Sequence, residues 1–255
     1  MFWIYFIPLM SVAAVLLPYL IFYLGWPQQV AKLKIHATTP GWGIMRREIA
    51  YSALSVVVFA LVGWGLDGLV QAGYTQLFEK ISGWGWLYLP LALSLAFLLH
   101  DAYFYWSHRL MHWGWLYRVA HCWHHRFHTP TPFTAFAFHP IEAVIQILIV
   151  PLVAVLIPMP TGMLVFFTSF LLLMSVYGHL GFELRANKAA ALRIFNTAIH
   201  HHQHHQYVRF NFGIYFNFWD RVMGTNHATY PQAYVDFGER LKREHSEELS
   251  LNEKD

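Results

Sequence analysis

Long apolar stretches separated by short polar segments dominate the pattern along this chain. Runs with no charge or almost none cover residues 2–24, 49–70, 84–99, 141–157 and 161–180. At 1.5 Å per residue, a helix of about 20 residues crosses the roughly 30 Å hydrocarbon core of a bilayer. The pattern therefore predicts an all-α integral membrane protein with about four to five transmembrane or membrane-embedded helices.

The individual runs carry further expectations. Run 2–24 has no basic residue before it and no small-residue cleavage site, so we expect a retained span and not a signal peptide. Runs 141–157 and 161–180 are short for full spans, and Pro158-Met159-Pro160 between them is typical of a tight turn. These two runs predict a helical hairpin that dips into one leaflet or crosses with a bend.

Basic residues orient the predicted spans. The loop between the first two runs contains Lys32, Lys34, Arg46 and Arg47. Loops rich in Lys and Arg lie on the cytoplasmic side. Alternating passes then bring residues 100–139, His179 and the polar segment after it to that side. We expect a multi-pass protein with a cytoplasmic helical cap.

Composition agrees with a membrane protein and removes several other classes. Charged residues make up 12% of the chain and hydrophobic residues 56%, whereas a soluble domain has about a quarter charged residues. The net charge of +3 gives no nucleic-acid footprint. The one cysteine, Cys122, excludes an internal disulfide, a Cys-based zinc or iron–sulfur site and covalent haem attachment through Cys-x-x-Cys-His.

Most of the 17 histidines lie between residues 99 and 206, and many recur at helical spacing. The three ordered sets are His108 and His112, then His121, His124 and His125, then His201, His204 and His205. Residues at i, i+3 and i+4 share a helix face, and imidazole is the commonest ligand of first-row transition metals. Eight imidazoles exceed the need of one ion, so the sets predict a two-metal site held by three helices.

The remaining histidines carry weaker signals. His139, fixed by Pro140, and His179, at the end of a run, are further candidate ligands. Isolated His36, His227 and His245 are typical of interfacial or surface residues. The spacing leaves open the roles of His100, Asp101, His128, His200 and His202.

The donor type limits the metal without selecting it. Imidazole-rich coordination suits iron, copper or zinc. A redox-active pair activates dioxygen, whereas paired zinc favours hydrolysis. A loose histidine tract without catalysis is the alternative interpretation, but the ordered spacing favours a structured site.

Residues 99–225 contain motifs beyond the histidines. These are Phe104-Tyr105-Trp106-Ser107-His108-Arg109, Tyr117-Arg118, Pro130-Thr131-Pro132-Phe133, Phe138-His139-Pro140-Ile141-Glu142, Asn211-Phe212-Gly213 and Asp220-Arg221-Val222-Met223-Gly224-Thr225. With them the chain resembles the fatty acid hydroxylase / sterol desaturase superfamily of membrane di-iron oxygenases, and most closely the sterol desaturase branch.

The resemblance implies a metal centre and its chemistry. Two irons would be held by His108, His112, His121, His124, His125, His139, His179, His201, His204 and His205, with no catalytic residues apart from these ligands. The enzyme would hydroxylate or desaturate a sterol, fatty acyl or related lipid, with O2 as co-substrate. Electrons would come from a separate electron-transfer protein.

Three parts of the chain follow from these expectations. Residues 1–98 form N-terminal transmembrane helices, 99–238 a fatty acid hydroxylase-like catalytic domain with a membrane hairpin near 141–180, and 239–255 a charged, solvated or frayed tail. The alternative functions are a non-enzymatic metal or haem membrane protein, either transporter or electron carrier, and a metal-dependent lipid hydrolase. A transporter would need polar residues at mid-membrane depth, where Asp67 is nearly alone.

Overall fold

The computed structural model describes residues 1–36, 38–81, 85–184 and 194–252, and these residues are mainly helical. The α-helices are α1 (Trp3–Tyr19), α2 (Trp42–Gln71), α3 (Gly85–Met111), α4 (Gly114–Val119), α5 (Pro140–Ile147), α6 (Ile149–Leu156), α7 (Thr161–His179), α8 (Ala198–Tyr207), α9 (Phe218–Val222) and α10 (Tyr230–Asn252). A π-helical segment, Leu20–Gly25, extends α1, and 3-10 helices cover Ala31–Leu33, His121–Arg126 and Pro132–Phe136. Two short strands are β1 (Leu77–Phe78) and β2 (Met159–Pro160).

Four helical segments are long and apolar enough to cross a membrane, which confirms the predicted fold class. They are Trp3–Gly25, Trp42–Gln71, Gly85–Met111 and Thr161–His179. The second begins seven residues before the predicted run, and the third continues past residue 99 as far as Met111. The predicted start of the third run, residue 84, lies outside the described residues.

Helices α1 and α2 pack closely through one charged and one small residue. The Asp67 carboxylate accepts hydrogen bonds from the backbone N–H groups of Phe2, Trp3 and Ile4. These are unsatisfied donors at a helix N-terminus, so an apolar environment favours such a cap. A Cβ on Gly63 would lie 2.5 Å from the carbonyl oxygen of Trp3, so only glycine permits this approach. Asp67 therefore has a structural role in the membrane.

The predicted hairpin is present, with a break in its first arm. Helix α5 ends at Ile147 and α6 begins at Ile149, because Pro151 has no N–H to donate to the carbonyl of Ile147. The turn at Met159–Pro160 then pairs in parallel with β1, which follows α2. The hairpin turn and the loop after α2 therefore lie at the same end of the molecule.

The loop between α1 and α2 that carries Lys32 and Lys34, called the basic loop below, lies at the other end, beside the end of α7. The Tyr23 hydroxyl donates to the carbonyl of Leu180, and Ile35 N–H donates to that of Gly181. A small second core joins α10 to α8 through Ile199, Tyr230, Tyr234 and Phe237. The segment 239–255 was expected as a solvated or frayed tail. Helix α10 continues through it as far as Asn252, and residues 239–250 are mostly exposed.

Candidate metal centre

Nine imidazoles from separate segments converge in two adjacent clusters, and within each the candidate ligand atoms lie within 4.8 Å of one another. Cluster 1 comprises His108, His112, His121, His125 and His204, and cluster 2 comprises His124, His179, His201 and His205. The clusters are neighbours, since the rings of His125 and His205 are 5.0 Å apart. All three predicted sets and His179 thus meet at one place, at the same end of the molecule as the basic loop.

Two segments of the form His-x-x-His-His divide their imidazoles between the clusters in opposite ways. Residues 121–125 give their first and last histidines to cluster 1 and the middle one, His124, to cluster 2. Residues 201–205 give their first and last histidines to cluster 2 and the middle one, His204, to cluster 1. Each segment therefore ties the two candidate ion sites together.

The sequence-based expectation of three α-helices is wrong for the middle set. Residues His121–Arg126 form a 3-10 helix, in which residues i and i+3 eclipse. The rings of His121 and His124 accordingly stack, with centroids 5.5 Å apart and planes 26° apart. His112 also lies just past the end of α3, although its N–H still donates to the carbonyl of His108. The other two ligand-bearing segments, α3 and α8, are helices as predicted.

The separations between imidazole nitrogens fit metal coordination. Nearest-neighbour Nε2 atoms are 2.9 to 3.2 Å apart in both clusters. Two nitrogens about 2.1 Å from one ion, and about 90° apart around it, are separated by about 3 Å. Five imidazoles in cluster 1 exceed a tetrahedral set, which favours a five- or six-coordinate ion there.

Hydrogen bonds at Nδ1 of two ligands orient their rings so that the Nε2 atoms face each other. Nδ1–H of His108 donates to the carbonyl of Phe212 at 2.9 Å, and that of His121 donates to Glu142 Oε1 at 2.7 Å. In a neutral imidazole Nε2 then carries a lone pair. The Nε2 atoms of these two residues are only 3.1 Å apart. Two lone pairs cannot hydrogen-bond to each other, so this arrangement suits a metal cation held between the two nitrogens.

Burial keeps the imidazoles in the ligating form. Desolvation, and then neighbouring imidazoles, hold the pKa values of His201, His204 and His205 well below the usual 6.5. The same causes act on His112 and His125. All five are neutral at physiological pH and present lone pairs to a metal.

A tight loop after α8 supplies acceptors to the ligands. The carbonyl of Phe210 accepts from His204 Nδ1 at 2.7 Å, and Phe212 serves His108 as described. Val208 and Asn211 have positive φ angles of 61° and 60°, a conformation that is strained for a β-branched residue. The Asp220 carboxylate holds the loop by accepting from the N–H groups of Phe212 and Gly213 at 2.9 and 2.7 Å.

Sequence reasoning did not single out Glu142, Asn211 or Asp220 as site residues, although each stands in a motif quoted above. Glu142 orients a candidate ligand, and Asp220 and Asn211 shape the loop that orients two more. The available signal was a set of polar residues in short motifs with glycine or proline. Such residues commonly support metal ligands from outside the coordination sphere.

His139 is the one predicted ligand that the structure does not bring to either cluster. Its Nδ1 accepts the N–H of Ile141 at 3.3 Å, which caps α5. Its ring packs against Trp123 at 4.6 Å. The proline that fixes this histidine also makes it a helix cap, which accounts for its position.

The residues with open roles now have places. Asp101 accepts the N–H of Phe216 and contacts no ligand imidazole, His128 is exposed, and His200 lies 3.3 Å from Asp220. His100 hydrogen-bonds to the Tyr215 hydroxyl at 2.5 Å. His202 is buried on another face of α8.

An apolar cavity of about 40 Å³ borders both clusters. Ligands from each line it, together with Phe59, His100, Phe104, Phe136, Phe138, Ile147, Leu171 and Leu172. Phe104, Phe136 and Phe138 give this cavity an aromatic wall. Phe133 is buried against Tyr19, and Trp106 is exposed, as expected for an interfacial residue. The volume is far below that of a lipid, so a lipid would have to widen the cavity.

Known proteins with similar sequences give an independent comparison. Delta(7)-sterol 5(6)-desaturase ERG3B of Gibberella zeae is 30% identical over 188 residues, covering 74% of this chain and 58% of that protein. Lathosterol oxidase of Mus musculus is 29% identical over 182 residues, covering 70% and 60%. That of Homo sapiens is 29% identical over 222 residues, covering 82% and 73%. The chain thus spans about three fifths of the first two relatives.

No solved structure matches the chain significantly. The sequence model of the fatty acid hydroxylase family matches residues 93–225, just over half of the 255 residues. This range contains both clusters, the cavity-lining Phe104 of α3 and the loop held by Asp220. Together with the similarity to sterol desaturases, it confirms the resemblance seen in the motifs: the chain belongs to the fatty acid hydroxylase family.

Proposed function

We propose that this protein is a membrane-bound di-iron oxygenase that hydroxylates or desaturates a C–H bond of a lipid. O2 is the co-substrate, and electrons come from a separate electron-transfer protein. The observation that carries the proposal is the pair of imidazole clusters whose Nε2 lone pairs converge beside an apolar cavity. This arrangement supports a pair of redox ions next to an apolar substrate.

The donor set supports iron over zinc in cluster 1, since five imidazoles exceed the tetrahedral set that structural and catalytic zinc prefers. When bound, two irons supply the reduction of O2 that is needed to take hydrogen from an unactivated C–H bond. Iron in both clusters is part of the proposal. The ligands in it are the nine clustered histidines, and His139 acts as a helix cap.

The protein's own residues prepare this chemistry. Glu142 and the carbonyls of Phe210 and Phe212 keep protons on Nδ1 and so leave Nε2 free to bind metal. Phe104, Phe136 and other apolar residues exclude water from the cavity and hold a hydrocarbon segment beside both clusters. Removal of one hydrogen followed by hydroxyl transfer gives an alcohol, and removal of a second hydrogen gives a double bond.

The substrate class follows from the relatives. The three relatives reported above are named as a sterol desaturase and two lathosterol oxidases, so a sterol or a lipid of similar shape is the first candidate. The metal end of the protein faces the cytoplasm in this proposal, because Lys32, Lys34, Arg46 and Arg47 lie at that end. A soluble or membrane-anchored electron donor can reach it there.

Lipid mass analysis tests the function. Membranes that contain the iron-loaded protein and a reducing system should accumulate a lipid that has gained one oxygen or lost two hydrogens. His124→Ala and His204→Ala, one from each cluster, should abolish this product and lower bound iron. His245→Ala, an exposed residue of α10, is the matched control and should leave both unchanged.

Two results would contradict the proposal. Full turnover by either cluster variant would refute the metal assignment. Two bound metals with an unchanged lipid profile, in the presence of O2 and reductant, would support a non-enzymatic metal protein. A lipid cleaved by addition of water, formed without O2 or reductant, would instead support a hydrolase.

A further inference from the structure

Helix α8 presents three faces, and one of them lines a cavity outside the metal centre. His201, His204 and His205 face the clusters, and His200 faces Asp220 and Tyr230. The third face carries Ile199, His202, Gln203 and Gln206, which recur at i, i+3, i+4 and i+7. This face lines a cavity of about 370 Å³ between α8, α10 and the segment around His36.

The inner end of this cavity contains buried donors without partners. His202 is 4% exposed, and neither of its ring nitrogens has a hydrogen-bond partner among the described residues. His36 Nε2 is in the same condition, and its ring meets that of His202 edge to face at 3.9 Å. Buried polar groups in native proteins are almost always hydrogen-bonded, so two such imidazoles indicate a site for a bound group.

Arginines at the same cavity add positive charge. Arg240 is held by the carbonyls of Lys32 and Lys34 and by the Phe237 ring, which fixes its guanidinium at the wall. Its Nε has no hydrogen-bond partner, since the nearest carboxylate oxygen, on Glu244, is 3.7 Å away. Arg243, one turn along α10, also lines the cavity. N–H donors therefore outnumber acceptors there, with Asp236 the one carboxylate among the lining residues.

This donor set suits an oxyanion better than a metal. In the two clusters, imidazoles that share a candidate ion place their Nε2 atoms about 3 Å apart, as described above. His36 and His202 have no such nitrogen contact, and no third metal-binding side chain groups with them among the described residues. Guanidinium and imidazole N–H groups together match the several acceptor oxygens of a phosphate.

We propose that this cavity binds a phosphate group, either free phosphate or the phosphate of a phospholipid headgroup. The His202 and His36 imidazoles donate to it from the inner end, and Arg240 and Arg243 donate from the sides. The volume leaves room for a group esterified to the phosphate. Ile35, at the cavity, follows directly on the residues that pair with the end of the membrane helix α7, which places the opening near the membrane surface.

Binding of inorganic phosphate to the detergent-solubilised, metal-loaded full chain tests the proposal by calorimetry. The wild type should bind phosphate, and acetate should not replace it. Arg243→Gln, at an exposed position, and His202→Phe, which keeps the ring without N–H groups, should each weaken binding about tenfold or more. Lys242→Gln removes the same charge from the neighbouring exposed position of α10 and should bind phosphate as the wild type does.

Metal analysis of each variant separates this site from phosphate bound by the metal ions, because Arg243→Gln should lose phosphate and keep its metals. Vesicles of phosphatidylcholine with and without phosphatidic acid distinguish the two sources. Headgroup binding predicts that phosphatidic acid competes with inorganic phosphate, and free phosphate predicts no competition. Absence of phosphate binding by the wild type, or equal weakening by Lys242→Gln and Arg243→Gln, would overturn the proposal.

Discussion

At the scale of single residues, the partner of one ring nitrogen decides what a histidine does. His179 donates from Nδ1 to the carbonyl of Ser175 at 2.7 Å, which directs Nε2 towards His124 and His201 at 3.1 and 2.9 Å. His139 uses its Nδ1 as an acceptor for a helix N-terminus. Both histidines stand at helix ends and look equivalent in sequence. The structure distinguishes them by their hydrogen bonds.

This difference gives a paired prediction. His179→Ala should lower the metal bound at cluster 2 and abolish product formation, because it removes one of four converging nitrogens. His139→Ala should keep its metal and lose only the stability of a helix cap, about 1 kcal/mol. Metal analysis and thermal unfolding measure the two effects separately. Equal loss of metal in both variants would return His139 to the ligand set.

His179 was a candidate because it ends an apolar run. The spacing of histidines predicted the other eight of the nine ligands that the structure groups, because ligands on one helix recur at i, i+3 or i+4. It could not divide them between two ions. That division depends on which way the segments 121–125 and 201–205 face each other, and this is a tertiary property. The role of His202 was equally unpredictable, since its neighbours on α10 and near His36 are distant in sequence.

At the scale of elements, the strained loop that follows α8 supplies the carbonyl oxygens that accept hydrogen bonds from the Nδ1 atoms of two ligands. The turn begins at Val208 with positive φ and carries the Phe210 and Phe212 carbonyls that orient His204 and His108. Asp220, at the start of α9, holds this loop through two buried N–H groups and the Thr225 hydroxyl. The position of α9 therefore fixes the loop, and the loop in turn orients two ligands of cluster 1.

Removing the Asp220 carboxylate should damage both stability and cluster 1. Asp220→Ala leaves two buried N–H groups without acceptors, at a cost of roughly 1–3 kcal/mol each. We expect a lower unfolding temperature and a cluster 1 metal that is lost first to a chelator. Asp220→Asn keeps one acceptor oxygen, so its unfolding temperature and metal retention should lie between those of the wild type and Asp220→Ala. Asp236→Ala, at an exposed position on α10, is the control. An Asp220→Ala variant that unfolds earlier but retains metal normally would limit the role of Asp220 to stability.

Element boundaries were predictable where periodicity is long and strong, and not elsewhere. The apolar runs gave the four spanning helices, although α2 begins earlier because Arg46, Arg47 and Glu48 also adopt helix. Glu48 is stabilised there by the hydroxyls of Thr131 and Thr134. The residues of His121–Arg126 carry no signal for 3-10 geometry, since contacts with His108, Glu142 and His179 in other segments hold its histidines in place. Tertiary contacts override local propensity in such short segments.

At the scale of the whole molecule, the buried imidazoles should make stability depend on pH. The folded-state pKa values of His201, His204 and His205 are well below 6.5, so these groups stay neutral where unfolded histidines take up protons. The unfolded state then binds more protons, and stability falls as pH decreases, by about 1.4 kcal/mol per pH unit for each fully protonated histidine. Above the histidine pKa of the unfolded state, these groups are neutral in both states and the free energy of unfolding is not reduced.

Thermal unfolding of the metal-free protein in detergent between pH 8 and 5 measures this dependence. The unfolding temperature should be nearly constant above about pH 7.5 and should fall steadily below about 6.5. A variant with His227 and His245 replaced by alanine, both outside the clusters, should show the same profile. A temperature that does not change across this range would mean that the clusters open and take up protons in the folded state.

The two ends of the molecule differ in charge and in the elements they contain, and this difference predicts which end faces the cytoplasm. Strands β1 and β2 mark one end. The basic loop, α10 and both metal clusters lie at the other, where Arg240 and Lys32 join α10 to the loop. Positive loops stay on the cytoplasmic side, so the metal end should face the cytoplasm.

A single native cysteine makes this orientation measurable. In a Cys122→Ser background, Lys80→Cys places a thiol beyond β1, and Ser246→Cys places one on the exposed face of α10. A maleimide that does not cross membranes should label Lys80→Cys in intact cells and Ser246→Cys only after permeabilisation. The opposite labelling would move the metal centre to the outer face, away from cytoplasmic reductants. The proposed oxygenase would then need an electron donor on that side, so orientation and mechanism are tested together.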